Sequence, residues 1–258
     1  MTYSAYLLVT HGSRNFNYQT RLQQLAIVVQ QQISQKKTTD LSPQEKKIIS
    51  SPLVKTACLE LADIPLSESI LNFAKDALSK KYQSVKIIPL FLLSGVHVRK
   101  DIPAQISIAQ KKLANLISLE LMPHLGSYDH LLVILAQQFS QFNAQKQILL
   151  AHGSNLENGN QECEEIAHKL KVDLAYWSIS PNLTQKVAYL VSLGVKTLAI
   201  VPYFLFEGKI TQAIASQIEQ LTTEYPEIKL YLGSPLGSSL DLANLIVENL
   251  NGTIDCRL

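Results

Sequence analysis

AYLLVTHGSRN, residues 5–15, runs five strand-forming residues without a polar interruption into Thr10, His11, Gly12 and Ser13. A strand with no polar alternation is buried on both faces, which is how strands sit in a parallel sheet covered by helices. Gly12 permits a tight turn directly after it. The phrase returns as QILLAHGSNLE, residues 147–157, so whatever this strand begins, the chain begins twice.

Working outward, apolar runs of the same kind occupy Ala5 to Val9, Leu53 to Leu59, Val85 to Leu92 and Leu116 to Leu121. In the second half they occupy Gln147 to Ala151, Val172 to Trp177, Thr197 to Phe206 and Ile228 to Leu232. Between them apolar residues recur at helical spacing, as in Leu22, Leu25, Ala26, Val29 and Ile33, in Ile70, Phe73, Ala74, Ala77 and Leu78, and in Leu183, Val187, Leu190 and Val191. Eight strands alternating with eight helices, four of each per half, predict an α/β chain of two parallel sheets. IIPLFLLSG (87–95) aligns with IVPYFLFEG (200–208), and PHLGSYDHL (123–131) echoes SPLGSSLDL (234–242). The pattern is an internal duplication, divided into a first repeat of residues 1–143 and a second of 144–258.

Length and composition limit the alternatives. With 258 residues, 47% hydrophobic and 17% charged, the chain can bury one large or two modest cores. The longest apolar stretches fall short of the roughly 20 residues of a spanning helix, and the start lacks the pattern of a signal peptide. The expectation is a cytoplasmic protein with no membrane partner. Cys58, Cys163 and Cys256 are odd in number and too far apart for a CxxC motif, which fits a reduced compartment. A net charge of +2, with no basic stripe or aromatic platform, predicts no nucleic-acid partner. The segment Gln35 to Ser51 interrupts the first half without a counterpart in the second; it reads as a solvated basic loop, with a lid over an acidic ligand as the alternative.

In parallel α/β sheets ligands bind beyond the carboxyl ends of the strands. His11 stands at that end of strand one, Glu60 at that end of strand two, and His97 in the loop after strand three. That loop precedes a helix expected to open at Asp101 with Pro103 in its first turn. Two imidazoles and a carboxylate on one rim suit a borderline divalent ion such as Fe²⁺, Co²⁺, Ni²⁺ or Zn²⁺. Taken singly, each residue also has a structural explanation, and His124, His130 and His168 read as structural or solvated throughout. Ser13 is placed to cap the following helix. In the second half only His152 persists: Ile210 takes the place of His97, and Ser178 lies near that of Glu60.

LLVTHGSR, LELA and PLFLLSGVHVRKDIP resemble the sirohydrochlorin chelatases, and LLAHGS with VPYFLFEGKI is similar to the second half of that family's double-length members. The resemblance implies two flavodoxin-like lobes, each a four-stranded parallel sheet flanked by helices, facing a central cleft. It implies insertion of Fe²⁺ or Co²⁺ into sirohydrochlorin, in sirohaem or cobalamin biosynthesis. His11 and His97 would handle the metal and the pyrrole protons, and Glu60 would assist. The metal, whether Fe²⁺, Co²⁺ or Ni²⁺, is a substrate, and no organic cofactor or ATP is expected. Ser13, Arg14, Arg99, Lys100 and, from the second lobe, Lys209 are the candidates for holding the carboxylates of a sirohydrochlorin-type tetrapyrrole. The chain is expected to act as a monomer, an internal pseudo-dimer. The rival readings are a metal or tetrapyrrole carrier without turnover, and a chelatase for another tetrapyrrole.

Overall fold

The computed structural model describes residues 4–14, 16–39, 52–238 and 240–250. The first sheet holds β1 (Ser4–Thr10), β2 (Val54–Cys58), β3 (Ser84–Pro89) and β4 (Ser118–Leu121), all parallel, in the order β2-β1-β3-β4. The second repeats it with β5 (Lys146–Ala151), β6 (Asp173–Tyr176), β7 (Thr197–Pro202) and β8 (Lys229–Leu232), in the order β6-β5-β7-β8. This is the strand order with which flavodoxin-like sheets begin. Every residue of the central β1 is buried, as its lack of polar alternation predicts.

Eight α-helices connect the strands among the described residues: α1 (Phe16–Thr39), α2 (Leu66–Ser79), α3 (Ile102–Leu113), α4 (His130–Ser140), α5 (Gln161–Leu170), α6 (Leu183–Ser192), α7 (Lys209–Glu224) and α8 (Leu240–Asn249). The residues whose spacing predicts helices are those that pack. Leu22, Leu25, Ala26, Val29 and Ile33 are buried, as are Ile70, Phe73, Ala74, Ala77, Leu183, Val187 and Leu190, with Leu78 and Val191 partly so. Best defined at its start is α6, where Asn182 accepts from the Gln185 backbone N–H while the Gln185 side chain accepts from the Asn182 N–H, each at 2.9 Å.

Two expectations shift at element ends. The third strand of each half stops at Pro89 and Pro202, although the apolar runs continue to Leu92 and Phe206; beyond the proline, which has no N–H to give a neighbouring strand, one last backbone bond ties each copy to its central strand, Leu90 N–H to Val9 at 2.7 Å and Tyr203 N–H to Leu150 at 2.8 Å. At Gln35 the expected insert is still helix, since α1 continues through Thr39 on residues of good helix propensity such as Gln31, Gln32, Gln35 and Lys36. Residues 40–51, and with them the lid reading, lie outside the described residues.

The chain divides into two compact units that are not consecutive stretches. One comprises Met1–Tyr128 with Ser239–Leu258, the other Asp129–Ser238. Helix α8, last in sequence, therefore completes the first unit, where it packs on α1, and Lys86 of β3 donates to the Leu250 carbonyl at 3.0 Å. Helix α4, from the first repeat, lies in the second unit against α5 and β7. Equivalent helices of the two repeats are thus exchanged. No helix of the described residues is long and apolar enough to cross a membrane.

Candidate metal centre

The first unit assembles the site beyond the ends of its three adjacent strands β2, β1 and β3. β1 ends at Thr10 and β2 at Cys58, but their hydrogen bonding continues one step further: Leu59 N–H donates to the Thr10 carbonyl at 2.8 Å and Glu60 N–H to the His11 carbonyl at 2.9 Å. That last bond sets the histidine and the glutamate side by side. Gly12, at φ +106°, turns the chain away, and a Cβ there would run into the Glu60 carbonyl oxygen. Only glycine fits such a conformation at such an approach.

His97 arrives from the loop after β3, on a π-helical turn spanning His97–Asp101 in which the Ile102 N–H reaches back five residues to the His97 carbonyl. A π turn adds a residue to a helix and re-aims the side chains on it. The imidazoles of His11 and His97 meet edge to face, with ring centroids 5.0 Å apart, and Phe91 stands 6.2 Å behind the His97 ring. One donor atom from each of His11, Glu60 and His97 lies within 4.8 Å of the others. His11 Nε2 and Glu60 Oε2 are 3.6 Å apart. Two ligands about 2.0–2.1 Å from a tetrahedral ion are separated by roughly 3.4 Å, so this pair already has the spacing an ion imposes. The side chains are 46%, 51% and 35% exposed for His11, Glu60 and His97, which leaves the group open to a large ligand.

Asp101 opens α3 as expected, with Pro103 in the first turn, but its carboxylate has another partner. It occupies the cap position of α3 without making a capping hydrogen bond; its Oδ2 accepts from His97 Nδ1 at 2.7 Å instead. A carboxylate four residues after a histidine was the signal in the sequence, since residues at that spacing are neighbours on a helical turn. Behind the rim, Thr10 is fully buried and hydrogen-bonds Tyr18, whose phenol is pushed up by burial despite that bond.

Of the candidate substrate-binding residues, Arg14, Arg99 and Lys100 are exposed in the first unit, and Arg99 Nη2 donates to Ser94 Oγ at 2.7 Å. Ser13 is half-buried, and its carbonyl accepts from Gln19 at 3.4 Å. Lys209 is exposed at the first residue of α7 in the second unit. Three exposed apolar residues were not anticipated: Leu61 and Ile64, just after Glu60, and Val96, just before His97.

The second unit repeats the backbone and not the chemistry. Trp177 N–H donates to Ala151 and Ser178 N–H to the His152 carbonyl, at 2.8 and 2.9 Å, which puts Ser178 where the first unit has Glu60. The Ser178 hydroxyl folds back on the same His152 carbonyl at 2.8 Å, and His152 Nδ1 turns to the Gly153 carbonyl at 2.9 Å. Ile210, in the place of His97, packs on the core. His130 and His168 are exposed on helices and His124 is half-buried, none of them in the three-residue donor group.

The comparisons with known proteins agree on one family. The CbiX family model matches the chain twice, over residues 5–142 and 146–253. The chain is 27% identical over 203 residues to a sirohydrochlorin ferrochelatase of Priestia megaterium, aligning 73% of this chain with 74% of that one. It is 24% identical over 215 residues to a sirohydrochlorin cobaltochelatase of the same organism, across 77% and 69% of the two chains. The solved structure of SirB from Bacillus subtilis with Fe³⁺ shares the fold at a TM-score of 0.74 and 20% identity, covering 97% of this chain and 94% of that one.

Proposed function

This chain belongs to the CbiX family, and on that premise we propose that it inserts a divalent ion, Fe²⁺ or Co²⁺, into sirohydrochlorin as a metal-insertion lyase. The observation that carries the reading is the meeting of His11, Glu60 and His97, with donor atoms within 4.8 Å, on the open rim of the first unit. Two neutral imidazoles and one carboxylate form a donor set that borderline divalent ions accept. Without a thiolate the set holds such an ion loosely enough to pass it on.

Insertion exchanges one dication for two protons. The ion leaves protein and water ligands for four ring nitrogens, and the two pyrrole N–H protons must go to a base. Glu60 and the two imidazoles are the groups within reach for that transfer. Charge balances across the exchange and no electron is transferred, so the reaction needs no redox cofactor; we take it to run without ATP. The macrocycle presents an apolar face edged by carboxylates; Leu61, Ile64 and Val96 offer apolar contact beside the ligands, while Arg14, Ser13, Arg99 and Lys100 offer charge and hydrogen bonds. We read repeat 1–143 as the one that bears the metal ligands, and repeat 144–258 as contributing Lys209 within a monomeric chain.

The test is anaerobic incubation of metal-stripped protein with sirohydrochlorin and Fe²⁺, Co²⁺ or Ni²⁺ in turn, following the macrocycle's visible absorption. Multiple turnovers above the uncatalysed rate are expected with Fe²⁺ or Co²⁺. Stoichiometric binding without turnover would leave a carrier and remove the enzyme.

A further inference from the structure

We propose that Asp101 is a positioning residue for the metal site, holding His97 in the tautomer that carries its proton on Nδ1 and leaves Nε2 free as the metal donor. This deepens the reading of His11, Glu60 and His97 as the ion site and rests on it. A neutral imidazole has one nitrogen to donate a hydrogen bond and one to bind an ion, and the partner of the first decides which is which. At 2.7 Å the Asp101 carboxylate accepts the Nδ1 proton, directing Nε2 to the ion. A carboxylate behind a ligating imidazole also makes it a stronger donor, and loss of such a partner typically costs 10–100-fold in metal affinity.

The second repeat serves as an internal control. Gly95 and Gly208 are matched loop residues, and Ile102 and Ile214 are the first buried residues of α3 and α7. Seven positions separate the first pair and six the second, so the first repeat holds one residue more, the residue its π turn accommodates. Where that extra residue is missing, α7 starts as an ordinary helix at Lys209. There Ile210 replaces the histidine, and no carboxylate occurs between Gly208 and Ile214. The π turn, the ligand and its carboxylate are present together in one copy and absent together from the other. A carboxylate serving only the fold has no reason to follow the histidine in this way, and the side chain is 44% exposed, with little packing to supply.

The experiment uses the full chain with ¹⁵N-labelled histidine, metal-free, at about pH 8, above the ordinary imidazole range. Long-range ¹H–¹⁵N correlation should show His97 protonated on Nδ1 in the wild type and in Asp101→Asn, whose amide oxygen can still accept. In Asp101→Ala the Nε2-protonated form should dominate. Co²⁺ titration followed by visible absorption should show affinity down about 10–100-fold in Asp101→Ala, and less in Asp101→Asn. A wild-type His97 protonated on Nε2 overturns the proposal. His97→Ala separates two further failures: weakened Co²⁺ binding there with unchanged binding in Asp101→Ala removes only the positioning role. Unchanged binding in both removes the ion site and the role with it.

Discussion

Gly12 carries more of the site than a residue without a side chain suggests. Its φ of +106° and its contact with the Glu60 carbonyl hold His11 and Glu60 in neighbouring positions. Gly12→Ala is expected to cost at least about 1–3 kcal/mol in urea unfolding, from backbone strain, and to weaken Co²⁺ binding by parting the pair; wild-type values for both would mean that the turn relaxes at no cost. The ligands behave in the opposite way. His11, Glu60 and His97 are exposed enough that alanine or glutamine there should alter stability by no more than about 0.5 kcal/mol. His11→Ala and His97→Ala should each lose most insertion activity, and Glu60→Gln should be slower but active, because water or an imidazole can take the proton. Turnover near the wild type in either histidine variant would remove the proposed centre. The three members of the donor group were legible in the sequence because each closes an apolar strand or follows a matched loop. Asp101 does open α3 with Pro103 in its first turn, but its carboxylate serves His97 rather than a backbone N–H, a choice that residue type and position left open.

Among the elements, β2 and α2 are joined at the surface by Asp76, which pairs with Lys55 at 2.7 Å and Lys80 at 2.9 Å. Hydrogen bonds from these two ammonium groups, Lys55 first, hold its carboxyl below the ordinary 3.8. A lowered folded-state value means that the contribution is present above the unfolded carboxylate range and disappears as pH falls through the folded value. Asp76→Asn should therefore flatten the stability curve below about pH 4 while costing less than about 1 kcal/mol at neutrality, because exposed pairs are screened. Chemical denaturation across pH 2.5–7, as an approximate range, checks this, and a curve parallel to the wild type would show that the pair contributes nothing. The echo between PHLGSYDHL and SPLGSSLDL also has an element-level cause. A Cβ at Gly126 would meet the Leu92 carbonyl, and one at Gly237 the Leu205 carbonyl, so each copy needs glycine where this turn crosses the loop after its third strand.

At the scale of the molecule, the exchanged helices make the repeats interdependent. Leu242, Leu245, Ile246 and Val247 of α8 are buried in the first unit, and at about 1.5–3 kcal/mol each their burial is comparable to the whole net stability of a domain. Residues 1–143 alone carry all three ligands but lack α8, so they should aggregate, or associate with α4 of a second copy in its place; light scattering that found a well-folded monomer would contradict this. Activity should divide unequally. His152→Ala is expected to keep most of the insertion rate that His11→Ala loses, since Ile210 and Ser178 give His152 no fellow ligands, and equal losses in the two folded variants would make the second histidine part of the catalytic apparatus. The sequence alone determined the two parallel sheets and the duplication and pointed to the three residues of the donor group, because burial on both faces and repetition leave marks on residue type that need no coordinates. Only the tertiary structure decided that α4 and α8 change places, that the third strands stop at Pro89 and Pro202, and that Asp101 spends its carboxylate on His97 across a π turn. These depend on which surface a helix finds and how one backbone turn is wound, and neither alters the spacing of apolar residues from which a sequence is read.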